Sequence, residues 1–144
     1  MREILFRGKR CDNGEWVEGY YARKGVDKDT FKHFICVMTF NVNGNTYSSM
    51  FYLTDVEVIP ETVGQYTGMT DKNGKKIFDG DIIQSIESGE TGEIQYFPEH
   101  TAFLIFVRCS VIDSRCYLDY LGEIKPSILK VIGNVHDNLE LLQD

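Results

Sequence analysis

No run of apolar residues in this 144-residue chain approaches the length a membrane-crossing helix needs. The opening decapeptide, MREILFRGKR, puts charges where a signal peptide needs an apolar stretch, so a cytosolic address is expected. The four cysteines, Cys11, Cys36, Cys109 and Cys116, are widely spaced and form no CxxC pair. They read as free thiols, with Cys36 buried inside an apolar run, and no structural disulfide is expected. His33, His100 and His136 lie on three separate segments, and HExxH is missing, so zinc has no support. GxGxxG, GxxxxGKS/T and GxSxG are also missing, which leaves nucleotide enzymes and α/β hydrolases without a foothold. Helix signals are scarce, and no repeat or low-complexity segment is present. No cofactor is expected.

What is there is a globular composition: 42% hydrophobic, 12% aromatic and 26% charged residues, enough to fill a core without a metal or a crosslink. The net charge of −7 is unevenly placed, with 8 basic and 9 acidic side chains in residues 1–63 against 7 and 13 in residues 64–144. An acidic second half repels a phosphate backbone over most of its surface, so general nucleic-acid binding is disfavoured.

Strand patterns run throughout. Residues 3–7 open, and Asp12-Asn13-Gly14 turns the chain into a strand over 15–23. A second spans 33–42, Asn43-Gly44 marks a hairpin, and residues 46–53 return. A short strand over 57–59 stops at Pro60. Residues 60–64 are the expected boundary between an N-terminal β module, 1–63, and a C-terminal module, 64–144, packed closely enough to count as one domain. Further strands are expected over 65–69, 81–86, 93–97, 101–107 and 128–135, while residues 117–121 read equally as strand or helical turn. Asp137 and Glu140 predict a short helical turn at the C-terminus, anchored by Leu139, Leu141 and Leu142. Five short strands from Asp81 to Val135 fit a small SH3-like barrel, which would remove exposed edges, with the N-terminal antiparallel sheet packed on it.

The stretch QYTGMTDKNGKKIFDGDII, residues 65–83, carries two glycine turns one short strand apart, Asn73-Gly74 and Asp79-Gly80. Together with KVIGNVHDNLELL at 130–142, it resembles the YopX family of phage and prophage proteins, whose function is largely unassigned. The chain departs from the family's Asn-Pro-Glu-Leu tail by having Leu139 in place of proline. The resemblance implies a mostly β protein whose C-terminal part is similar to SH3-like barrels, and a bacterial host cytoplasm as its setting.

Asp79-Gly80-Asp81 has the look of an acid–base or metal site, but carboxylates flanking a turn glycine serve first as acceptors for turn amides. An EF-hand reading of the loop from Asp71 fails, because Lys75 and Lys76 occupy a ligand position and the required glycine position. Arg7, Lys9 and Arg10 form the densest positive cluster, followed by Trp16, Tyr20 and Tyr21. These residues are the candidate contact for single-stranded nucleic acid or a partner; the plainer reading is a solvated hairpin edge with inward-facing aromatics. A pair of Cys109 or Cys116 with His100 or His136 would need the fold to assemble it. The segment TAFLIFV, 101–107, is apolar on both faces and needs cover from the other module or from a second subunit. The expected function is non-enzymatic binding to a phage or host protein, or to itself as a homo-oligomer. Nucleic-acid binding through the basic cluster and a small Cys/His or carboxylate enzyme are the alternatives.

Overall fold

The computed structural model describes residues 2–42, 49–107 and 117–142, of which 38–42, 49–53, 107 and 117–119 are described by their backbone. The chain divides into two compact units, Glu3–Gln65 and Tyr66–Asp144. Its strands belong to two antiparallel sheets: β1 (Phe6–Lys9), β2 (Trp16–Gly25), β3 (Phe31–Val42), β4 (Ser49–Glu57), β5 (Gly64–Thr70) and β6 (Lys76–Phe78) in one, in the order β4-β3-β2-β1-β5-β6. The other holds β7 (Asp81–Ser85), β8 (Thr91–Phe97), β9 (Ala102–Val107), β10 (Tyr117–Tyr120) and β11 (Leu129–Asn134), in the order β10-β9-β8-β7-β11.

In the first unit β1 is not the hairpin edge its sequence suggests. It lies between β2 and the start of β5, because Phe6 and Arg7 pair with Gly19 and Glu18 on one side and with Gln65 and Gly64 on the other. Ile35 and Val58 are fully buried. Phe6, Tyr21 and His33 form a row of rings with centroids 5.6 and 5.8 Å apart, Phe6 tilted against Tyr21 and Tyr21 stacked on His33. Residues 57–59 make no strand of their own: Glu57 ends β4, and Val58 bridges Arg10. The chain then makes a 3-10 turn, Pro60–Thr62, tied to β1 because the Thr62 hydroxyl accepts from Lys9 N (2.9 Å) and donates to the Ile59 carbonyl. The Asn43-Gly44 turn and the first residues of its returning strand lie outside the described residues.

The second unit is built around Ile77, Ile83, Ile94, Ile105, Leu121, Leu129 and Val131. β6 to β9 give one residue each, the turn after β10 gives Leu121, and β11 gives Leu129 and Val131 from alternate positions, as one packed face requires. Its five-stranded sheet is open: among the described residues β10 and β11 stand at opposite edges and do not pair with each other. The expected closed barrel is therefore not formed. Between the two edges run 3-10 turns at Leu121–Glu123 and Pro126–Ile128, and the buried Leu121 covers the core there with a side chain instead of a hydrogen-bonded seam. Residues 117–121 prove to be both things at once, a strand to Tyr120 and then a helical turn. On β9, Leu104 and Ile105 are both buried although they face opposite ways. The turn at Leu121–Glu123 packs on β9, and the C-terminal tail packs on β8. The tail is the expected helical turn, a 3-10 turn over Leu139–Leu142, but only Leu142 is buried, while Leu139 and Leu141 are exposed. Its approach is set by asparagines: Asn134 Oδ1 accepts from His136 N and Asp137 N, and Asn138 Oδ1 accepts from Asn134 N.

Two carboxylates organise the turns. Asp81, 1% exposed, accepts Phe78 N at 2.8 Å and closes the β6–β7 turn around Gly80, whose φ is +87°. Asp71, 4% exposed, accepts Asn73 N (2.8 Å) and Lys75 N (2.9 Å) on Oδ1 and Val131 N (3.0 Å) on Oδ2. Burial opposes its charge, but the N–H groups of Val131, Lys75 and Asn73 outweigh that, and its pKa lies below the ordinary value.

A lowered folded-state pKa contributes stability above the unfolded value of about 4 and loses it as pH falls through the folded value. Asp71→Asn is expected to cost about 2 kcal/mol at pH 7, since an amide N–H₂ would face a buried N–H, and to flatten the acid limb of the stability curve. Urea unfolding from pH 3 to pH 7 measures both. Gly80→Ala is expected to cost about 1 kcal/mol or more through the positive φ alone, because a Cβ there meets His136 and Val135 only at ordinary contact distance.

Candidate functional site

The β1–β2 register sets Lys9 opposite Trp16 and Arg7 opposite Glu18, so these four share one face, with Tyr20 next along it. The Arg7 guanidinium sits 4.7 Å and the Lys9 ammonium 5.5 Å from the centre of the Trp16 ring. Arg7 is buried, Tyr20 exposed and Trp16 half-buried. Arg10 is turned away into a two-pronged pair with Asp12, Nε to Oδ1 at 2.8 Å and Nη2 to Oδ2 at 2.7 Å. Hydrogen bonding within this pair raises the arginine pKa and lowers that of the carboxylate. Arg7, Lys9 and Trp16 thus come together, but as a cation–π stack in which the protein's own cations lie against the indole. Tyr20 stands further along the face, and Arg10 is engaged elsewhere.

Of the carboxylates singled out in the sequence, Asp71 and Asp81 act as acceptors for backbone amides, as described above. Among the described residues no three His, Cys, Asp or Glu side chains gather as a metal site. Cys109 and Cys116 lie outside the described residues, and with them any pairing to His100 or His136. Cys36 is not buried as expected: the pairing that puts it opposite Asp55 turns it to the outer face, where its thiol donates to Asp55 Oδ1 at 3.1 Å. Lys24 holds the other oxygen of Asp55. The bond to Asp55, then burial, raises the Cys36 pKa; burial, then Glu57 and Asp12, raises that of Cys11. Both thiols are thereby held away from the nucleophilic thiolate.

The second unit carries an open groove of about 440 Å³. β5 contributes Thr67 and Met69, β9 contributes Ala102 and Phe103, and the end of β10 with its following turn contributes Tyr120, Leu121, Gly122 and Glu123. Its volume is within the usual range for ligand sites. Phe103 is braced edge-on by Tyr96 at 5.3 Å, and Tyr120 by His100, whose Nδ1 lies 3.1 Å from the phenol oxygen. The Thr67 hydroxyl is directed out of play, donating to the Ile77 carbonyl and accepting Met69 N. The groove is aromatic and apolar with a single carboxylate, Glu123. Sequence reasoning did not find it, because its walls come from three segments more than 15 residues apart; the only local signal was the strand-to-turn ambiguity at residues 117–121.

Comparison with known proteins bears on the whole chain. The model of the YopX protein family matches residues 5–143. Protein EF1440 from Enterococcus faecalis, known from a crystal structure, is similar in fold, with a TM-score of 0.55 and 21% identity over 99% of this chain and 100% of that one. No curated protein matches. Among the described residues no helix is long and apolar enough to cross a membrane.

With Arg7 buried and Arg10 paired, the corner is expected to bind DNA or RNA weakly at most near physiological salt. Titration of labelled single- and double-stranded oligonucleotides at about 150 mM salt checks this. Submicromolar affinity that disappears on replacing Arg7, Lys9 and Arg10 together would contradict it.

Proposed function

The chain belongs to the YopX family, and from that premise we propose that it is a phage- or prophage-encoded, non-enzymatic protein of the host cytoplasm that acts by binding another protein. The observation that carries this reading is the make-up of the groove. Met69, Phe103 and Tyr120 offer apolar and aromatic area, and Glu123 is its single carboxylate, so the groove provides adhesion without the paired acid and base that proton transfer needs. The raised thiol pKa values of Cys11 and Cys36 agree, since a nucleophilic cysteine calls for the opposite shift. The order of the second sheet, a four-strand meander whose fifth strand returns to the first, is compatible with an SH3-like architecture left open at one seam. Such small β scaffolds host many unrelated roles, so the partner has to be found by its chemistry, not by the fold.

Nucleic-acid binding is the second reading, and the cation–π stack on Trp16 weakens it, because the base-stacking surface and the cations already engage each other. Affinity capture from host lysate, with and without nuclease, tests the two together. A nuclease-resistant protein partner is expected, reduced at least about tenfold by Tyr120→Ala, a substitution at an exposed position that leaves the fold intact. Capture that depends on nucleic acid and ignores Tyr120 would overturn the proposal.

A further inference from the structure

Over much of its described surface this chain lays its own cations on its own rings. Arg7 and Lys9 lie over Trp16, Arg23 over Phe31 at 4.2 Å, Lys24 over Phe34 at 4.8 Å and Lys76 over Tyr66 at 5.4 Å. The rings of the groove differ. Among the described residues no lysine or arginine lies over Phe103 or Tyr120, and none lines the groove. Its one charged group is Glu123, which forms no ion pair among the described residues. Phe103 is met by Tyr96 at 63° and Tyr120 by His100 at 89°. A contact that steep occupies at most one face of a ring, and Tyr120 is 42% exposed. Glu123 ends the single 3-10 turn that begins at Leu121, so it stands roughly 6 Å further along the chain than Tyr120. One long side chain spans that gap.

We propose, on the reading that this groove is the binding site, that its occupant is an arginine on an exposed basic segment of the partner protein. The guanidinium lies over the free face of Tyr120 and donates to the Glu123 carboxylate, while its methylene stem runs along Met69 and Ala102. Lysine is the poorer fit, because an ammonium is more strongly hydrated and presents no planar fork to ring and carboxylate together. A wholly apolar segment would cover Glu123 without pairing it, which costs free energy. A phosphate backbone is repelled by the same carboxylate and by residues 64–144 as a whole, with 13 acidic against 7 basic side chains. The groove thus asks for a cation with an apolar stem, and arginine is the residue that combines them.

The probes are the heptapeptide acetyl-Ala-Ala-Leu-Arg-Leu-Ala-Ala-amide and its twin with citrulline, which keeps the shape of arginine and loses the charge. Titration of the full chain, followed by amide NMR at residues 67–69, 102–103 and 120–123, is expected to show the arginine peptide binding about tenfold more tightly. Glu123→Gln, at an exposed position, is expected to erase that difference. Gly122→Leu is expected to lose both peptides by filling the groove, since a Cβ there meets nothing within 4 Å and φ is not positive. Equal binding of the two peptides, a preference that survives Glu123→Gln, or groove signals unmoved at about 5 mM arginine peptide would each overturn the proposal. Capture from host lysate separates it from the groove reading, and a partner weakened by both Tyr120→Ala and Glu123→Gln is expected. A partner lost with Tyr120→Ala but indifferent to Glu123→Gln overturns the arginine alone. One indifferent to Tyr120→Ala overturns both.

Discussion

The carboxylate of Asp71 holds together parts of the second unit that are 60 residues apart in sequence. Its Oδ1 shapes the turn that carries Asn73 and Lys75, and its Oδ2 takes the N–H of Val131 in the middle of the last strand. A second main-chain bond, from Lys72 N to the Leu129 carbonyl at 2.9 Å, runs beside it. Together they fix the start of β11 against the turn, and that fixes which residues of β11 face inward. Leu129 and Val131 then meet Ile77, Ile83 and Ile94 in the core. A neutral side chain would strand a buried N–H, and a longer acid would carry its carboxylate past the three amides. The polar interaction therefore acts first as a ruler and only second as a source of stability.

The same division of labour recurs elsewhere. Asp81 closes the turn at Gly80, Thr62 anchors its 3-10 turn on β1, and Asn134 and Asn138 steer the tail. Polar groups that might have been read as chemistry are engaged by backbone amides. What faces outward in the groove is mainly ring and aliphatic surface. The proposed binding role rests on that partition.

Much of the fold was legible in the sequence because it rests on local signals. Alternation located most of the strands seen among the described residues to within a few positions, and Asp12-Asn13-Gly14 and Asp79-Gly80 marked real turns. Errors arose where position depends on partners distant in sequence. β1 reads as an edge because nothing local announces that Gly64 and Gln65 will pair with it, and Arg7 is buried for the same reason. Cys36 sits in an apolar run, yet the register that sets it opposite Tyr20 and Asp55 turns it outward. A barrel was expected from five short strands, but the Pro126–Ile128 turn and the buried Leu121 finish the edge without a closing ladder. The groove is wholly a product of tertiary structure, since Met69, Phe103 and Tyr120 share no motif.

The claim that Asp71 is a structural acceptor is tested most directly by following its side-chain carbon through a pH titration by NMR. A structural acceptor of three amides must titrate below the ordinary aspartate value of about 4, with the protein losing its native spectrum as the group protonates. A carboxyl that titrates at or above that value in the folded protein, leaving the Val131 amide undisturbed, would contradict the account.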